Sequence, residues 1–147
     1  MKRVIYGQDS RICKWVGARV DETDFGDGAV ALGVEKDGEL IAGVVFNLYN
    51  GPSICMHVAA VPDKRWMTRE FLWRVFAYPF IQLDCHRVTG LVRVDNHEAQ
   101  RFDEHIGFKR EGLLRRAATD GTDMILYGML KEECRWLGVK HGTMAYN

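Results

Sequence analysis

Residues 88–116 read Val-Thr-Gly-Leu-Val-Arg-Val-Asp-Asn-His-Glu-Ala-Gln-Arg-Phe-Asp-Glu-His-Ile-Gly-Phe-Lys-Arg-Glu-Gly-Leu-Leu-Arg-Arg. The first part alternates as a strand does, with Val88, Val92 and Val94 on one face and Arg87, Thr89, Leu91 and Arg93 on the other. Asp95 or Asn96 then caps a short helix, and Asp95 with Glu98 three residues on has the spacing of a capping box. Ala99, Phe102 and Ile106 fall on one helical face, and Gly107 supplies the left-handed residue that ends the helix. Phe108 starts the next strand. Upstream, residues 54–61 read as a strand and 66–78 as a helix with Leu72, Val75 and Phe76 as its core. Pro79 ends or kinks that helix. Strand, helix and strand in this order make a parallel crossover in the middle of the chain.

Working outward, Asp37-Gly38 suits the type I′ turn of a tight hairpin between residues 29–36 and 39–50. The second arm is apolar on both faces (Leu40, Ala42, Val44, Phe46 and Leu48 against Ile41, Val45 and Tyr49), so it is an interior strand. Residues 4–6 form a short first strand. Asp9 or Ser10 caps a helix with Ile12, Trp15, Val16 and Val20 on one face, and the polar residues 21–27 form a loop. Residues 108–117 and 124–131 close the sheet as an antiparallel pair around Asp120-Gly121, followed by a helical turn in 132–137 and a weakly patterned tail. The expected product is an α/β fold: a mixed, mostly antiparallel sheet with one central parallel pair and helices on both faces.

At 147 residues the chain fits one domain with a real core, and no linker, repeat or low-complexity segment divides it. Twenty basic residues balance twenty acidic ones, so no global field calls for nucleic acid or an anionic membrane. Gly7 and Gln8 interrupt the amino terminus where an apolar leader would run, and the longest apolar stretches are too short to span a bilayer. Cys13, Cys55, Cys85 and Cys134 lack metal-ligand spacing and read as reduced thiols of a cytoplasmic protein. No nucleophile-elbow serine occurs, and His97 and His105 stand two helical turns apart, too far to share a metal.

The order Asn96, Ala99, Phe102, Gly107-Phe108, Glu111-Gly112 resembles the motif of the GNAT superfamily of N-acetyltransferases. The resemblance implies a GNAT-like sheet whose central parallel pair splays apart, acetyl-coenzyme A as cosubstrate, no metal, and a primary amine as acceptor. Protein amino termini, lysine and small amines all remain candidates, and a homodimer is left open. In this family a Gln/Arg-x-x-Gly-x-Gly/Ala loop and the helix after it bind the coenzyme pyrophosphate. Here Arg65, Trp66, Met67, Thr68, Arg69 and Glu70 occupy that stretch, with Thr68 and Glu70 where glycine is usual and Lys64, Arg65 and Arg69 as compensating cations. Ala59, Ala60 and Val61 are implied backbone partners of the pantetheine arm, and Asn96 is either a pantetheine contact, a helix cap or both. Phe102 and Asp103 complete the implied coenzyme site. Residues 120–137 look like the ending of the subgroup acting on ribosomal-protein amino termini. Residues 66–72 with Tyr78-Pro79-Phe80 resemble short, bacteriophage-type members.

Acetyl transfer needs a neutral amine, a donor for the oxyanion and a proton for the leaving thiolate. An amide near Ala59 is the implied oxyanion donor. His57, on the strand that presents the thioester, reads as a hydrogen-bonded core histidine or, alternatively, as the base. Many family members carry a tyrosine acid at the position of Asp103; Tyr127 and Tyr78 are candidate substitutes. The rival reading is a GNAT-shaped binding or structural protein without catalysis.

Overall fold

The computed structural model describes residues 1–20, 22, 24–62 and 64–138, with the side chain of Lys64 left out. Its seven-stranded sheet has the order β1-β2-β3-β4-β5-β7-β6. The strands are β1 (Lys2–Ile5), β2 (Val30–Lys36), β3 (Glu39–Asn47), β4 (Ser53–Ala60), β5 (Arg87–Arg93), β6 (Lys109–Leu114) and β7 (Met124–Leu130). The helices are α1 (Asp9–Val20), α2 (Arg69–Ala77) and α3 (His97–Ile106). Every neighbouring pair is antiparallel except β4 and β5.

The expected hairpin is present. Asp37 and Gly38 both take positive φ, 54° and 87°, as a type I′ turn demands, and Lys36 faces Glu39 across it. The second arm stops at Asn47, short of the expected residue 50, because Leu48 turns to φ 55° and Asn50 Oδ1 accepts the Ser53 amide in the turn that follows. β3 is buried along nearly its whole length, as an interior strand must be.

The two faces of the sheet carry different cores. α1 lays Ile12 and Val16 on Val45 and Ala59. On the other face α2 and α3 bury Phe71, Leu72, Val75, Phe76 and Ile106 against Val44, Met56, Val88 and Tyr127. The α-helical bonding ends at Ala77, as expected ahead of Pro79, and Pro79 is the reason it does not resume in that form. It cannot offer an N–H to the Val75 carbonyl, so α2 widens into a π-type turn over Tyr78–Gln82, closed by Leu83 N–H donating to the Tyr78 carbonyl at 3.0 Å.

Two further expectations are revised. Asn96 alone caps α3, its Oδ1 accepting the Ala99 amide at 3.1 Å, because the Asp95 carboxylate is held by Arg93 at 3.0 Å. The segment expected to open the central helix divides at Thr68: Lys64–Trp66 is a 3-10 turn, and the α-helix starts at Arg69. Asp63, the Lys64 side chain and the tail 139–147 lie outside the described residues, as do Asp21 and Thr23 of the early loop.

Candidate functional site

β4 and β5 pair over a short stretch only: Ser53 with Arg87, Ile54 with Val88, Cys55 with Thr89. Both strands then continue, β4 held by β3 as far as Ala60 and β5 held by β7 as far as Arg93. Each strand follows its outer neighbour, and a fork opens between them.

The register says which backbone groups face this fork. Val61 N–H donates to the Ile41 carbonyl at 2.8 Å, so residue 61 turns its backbone toward β3. Alternation along an antiparallel ladder does the same for Ala59 and His57. Val58 and Ala60 therefore turn their N–H and C=O toward the fork. Of the three residues implied as pantetheine partners, Ala60 has its backbone there, whereas those of Ala59 and Val61 are directed to β3. Val58 is the residue the sequence reading passed over. Its signal was the two-residue alternation, which needs the β3 partner before it has a direction.

The stretch between the end of β4 and α2 is built around two side chains. Trp66 is buried, edge-on to Phe71 at 6.0 Å and tilted on Phe102 at 5.3 Å, which joins the start of α2 to α3. Thr68 caps α2, its hydroxyl accepting the Phe71 amide at 3.0 Å. That leaves the Arg69 and Glu70 amides at the positive end of α2 without an intrahelical acceptor. Thr68 has φ −92°, an angle open to any residue, so glycine is not required there. The Glu70 carboxylate is turned back along the helix to Arg74 at 2.9 Å. Arg65 and Arg69 are exposed, Met67 is half-buried against the core, and the Arg65 carbonyl accepts from Lys2 Nζ at 2.8 Å.

On the α1 face of β4, half-buried His57 packs its ring on Phe25 at 5.0 Å, with Nε2 2.9 Å from Asn47 Oδ1. Burial holds its pKa below the ordinary histidine value, partly offset by Glu22. On the opposite face Tyr127 is fully buried, and its hydroxyl donates to Glu104 Oε2 at 2.7 Å. Burial and that carboxylate push its pKa up to about 12, so its proton is held tightly. Tyr78 packs on Phe46 at 5.1 Å and lines a cavity of about 310 Å³ with Phe25 and Tyr49, at the end of β4 opposite the α2 start.

Asp103 is placed differently from what its sequence neighbours suggest. It lies on the buried side of α3, only 8% exposed. A methyl built on Gly90 would sit 3.6 Å from Asp103 Oδ2 and 4.0 Å from the Met56 carbonyl oxygen. Gly90 is the first β5 residue past the last rung with β4, so this carboxyl stands at the apex of the fork. Burial, then the neighbouring Glu104 carboxylate, push its pKa up to about 7.

No protein-family model matches the chain, and no curated protein does. Solved structures do match. A spermidine N-acetyltransferase SpeG variant from Vibrio cholerae superimposes with a TM-score of 0.72 at 16% identity, covering 95% of this chain and 98% of that one. An acetyltransferase-like protein gives 0.63 at 26% identity, covering 78% of this chain and 64% of its own. A second gives 0.62 at 20% identity, covering 71% and 62%. The chain thus spans under two thirds of the length of these last two proteins. In strand order, crossover and fork, the chain has the fold of the GNAT N-acetyltransferases.

Proposed function

We propose that the protein transfers the acetyl group of acetyl-coenzyme A to a primary amine by direct attack in the fork. The observation that carries this reading is the early end of β4–β5 pairing. It leaves the backbone groups of Val58 and Ala60 without a strand partner on that side, as an extended, amide-rich ligand would need. The α2 start supports it as a pyrophosphate site, through the Arg69 and Glu70 amides and the Arg65 and Arg69 side chains. In this reading the Val58 N–H stabilises the oxyanion, Ala60 holds the pantetheine arm, and Phe102 and Asn96 flank it from α3. When bound, the coenzyme supplies an activated acetyl group. The protein orients it, excludes water and manages two protons. His57 is the proposed base for the acceptor ammonium. Four thiols, none in a disulfide, support a cytoplasmic site of action.

The rival reading, a non-catalytic protein of the same fold, draws on Thr68 and Glu70 in place of glycine. Thr68 needs no unusual backbone angle and Glu70 is engaged with Arg74, so neither residue argues against a bound pyrophosphate.

Calorimetric titration with coenzyme A tests the binding step. Saturable heat is expected, and its absence at millimolar ligand would overturn the proposal. A free-thiol assay over spermidine, lysine peptides and peptides with free amino termini tests the transfer, and release above the acceptor-free rate is expected.

A further inference from the structure

We infer that the cavity at the end of β4 opposite the α2 start is a second binding site, which takes the ammonium head of a small organic cation. This site is separate from the fork and independent of acetyl transfer. The cavity holds about 310 Å³, at the small end of ligand cavities, which suits a compact head group. Ile54, in its wall, stands on a rung with Val88, so the cavity lies beside the paired part of β4 and β5.

The lining points to a cation. Phe25, Phe46, Tyr49 and Tyr78 bring four aromatic rings to one small space. Phe25 and Phe46 are buried and held in place, Phe46 by Tyr78 at 5.1 Å and Phe25 by His57 at 5.0 Å. The face of an aromatic ring is negative, so several rings around one volume attract a positive charge, and alkylammonium groups are the ligands such cages hold.

Charge points the same way. Asp27 also lines the cavity, and among the described residues its carboxylate has no hydrogen bond or salt bridge. Asp24, three residues earlier, has its carboxylate turned onto the Gly26 amide at 2.7 Å. Among the described residues of the lining there is no lysine, arginine or histidine. A phosphate or carboxylate would meet Asp27 with nothing to answer it, and a wholly apolar ligand would leave that carboxylate desolvated beside it. A second cavity of the same volume, between β1 and the α2 start, is lined by Lys2, Arg3, Arg65 and Arg74. The two cavities therefore sort ligands by the sign of their charge.

Phe25 and Asn47 each border the cavity and each touch His57, Phe25 through its ring and Asn47 through Oδ1 at 2.9 Å. A cation in the cavity is therefore felt at the His57 ring, which serves as a reporter.

NMR of the full chain, titrated with tetramethylammonium chloride at constant ionic strength and in parallel with neutral tert-butanol of similar shape, tests this. The Phe25, Tyr49, Tyr78 and His57 ring signals should shift and saturate with the ammonium, at roughly tenfold tighter affinity than with the alcohol. Asp27→Asn, in an exposed turn, should weaken the ammonium by about two- to fivefold and leave the alcohol unchanged. Absence of a saturable shift, or equal affinities for the two probes or for parent and variant, would overturn the proposal. So would shifts centred on the Val58, Ala60 and Gly90 amides, which would put the cation in the fork. The acetyltransferase reading stands or falls separately, on the binding of coenzyme A.

Discussion

His57 Nε2 lies 2.9 Å from Asn47 Oδ1, and the orientation of that amide is fixed because Asn47 Nδ2 donates to the Phe25 carbonyl at 3.1 Å. The hydrogen of neutral His57 is therefore on Nε2, and Nδ1 carries the lone pair. A histidine in this tautomer, half-buried and hard to protonate, keeps a base available below the ordinary histidine range.

Asn47→Asp replaces the neutral acceptor by a carboxylate and should raise the His57 pKa by ~1–3 units. Ring-carbon NMR titration reads this directly. If His57 deprotonates the acceptor, the rising limb of the activity profile should move to higher pH by the same amount. A profile that stays put while the NMR midpoint moves would return His57 to a structural role.

With burial holding the His57 pKa below the ordinary histidine value, the rising limb of activity toward a single acceptor should lie below that value. His57→Gln should remove that limb and lower kcat by ~10²-fold or more. Steady-state rates across pH check both statements.

Asp103 also makes a stability prediction that needs no substrate. Its folded pKa is raised, so between roughly pH 4 and pH 7 the folded state binds a proton that the unfolded state has released. Stability contributed at this site therefore falls as pH rises through that window, then levels off. Asp103→Asn should stabilise the protein at pH 8, by ~4 kcal/mol at the upper limit, and the gain should vanish near pH 4. Denaturant unfolding at the two pH values measures it.

Glu35 behaves in the opposite sense. Arg11 and Arg3 bind its largely buried carboxylate, tying α1 and β1 to β2, and the Arg11 hydrogen bond leads in holding its pKa below the usual carboxylate range. Its contribution is present above the unfolded pKa and lost as pH falls through the folded one. Glu35→Gln should lower the melting temperature at pH 7 and much less at pH 3.

Gly107 ends α3 at φ 118°, its N–H donating to the Asp103 and Glu104 carbonyls. Gly107→Ala should cost ~1–2 kcal/mol, since a Cβ is disfavoured at that angle. The cost should appear in equilibrium unfolding without change in coenzyme affinity.

Local chemistry was legible in the sequence because it is short-range. Asp37-Gly38 announced its turn, Gly107 its left-handed cap, and the alternation from Val88 to Val94 its strand, each through constraints acting within a few residues. The order of those elements was enough to give the parallel crossover and the mixed sheet. Three things were decided only when distant segments met. The fork depends on β3 and β7 drawing β4 and β5 apart, and the backbone direction of Val58 and Ala60 depends on the β3 register. The setting of Asp103 depends on where α3 lands over Gly90, with Tyr127, Glu104 and Arg110 satisfying one another beside it. Read as a residue it was an ionised aspartate where a tyrosine is usual. Desolvation by the packed sheet is what keeps its proton on, and desolvation is a property of the assembled neighbourhood that no stretch of chain carries by itself.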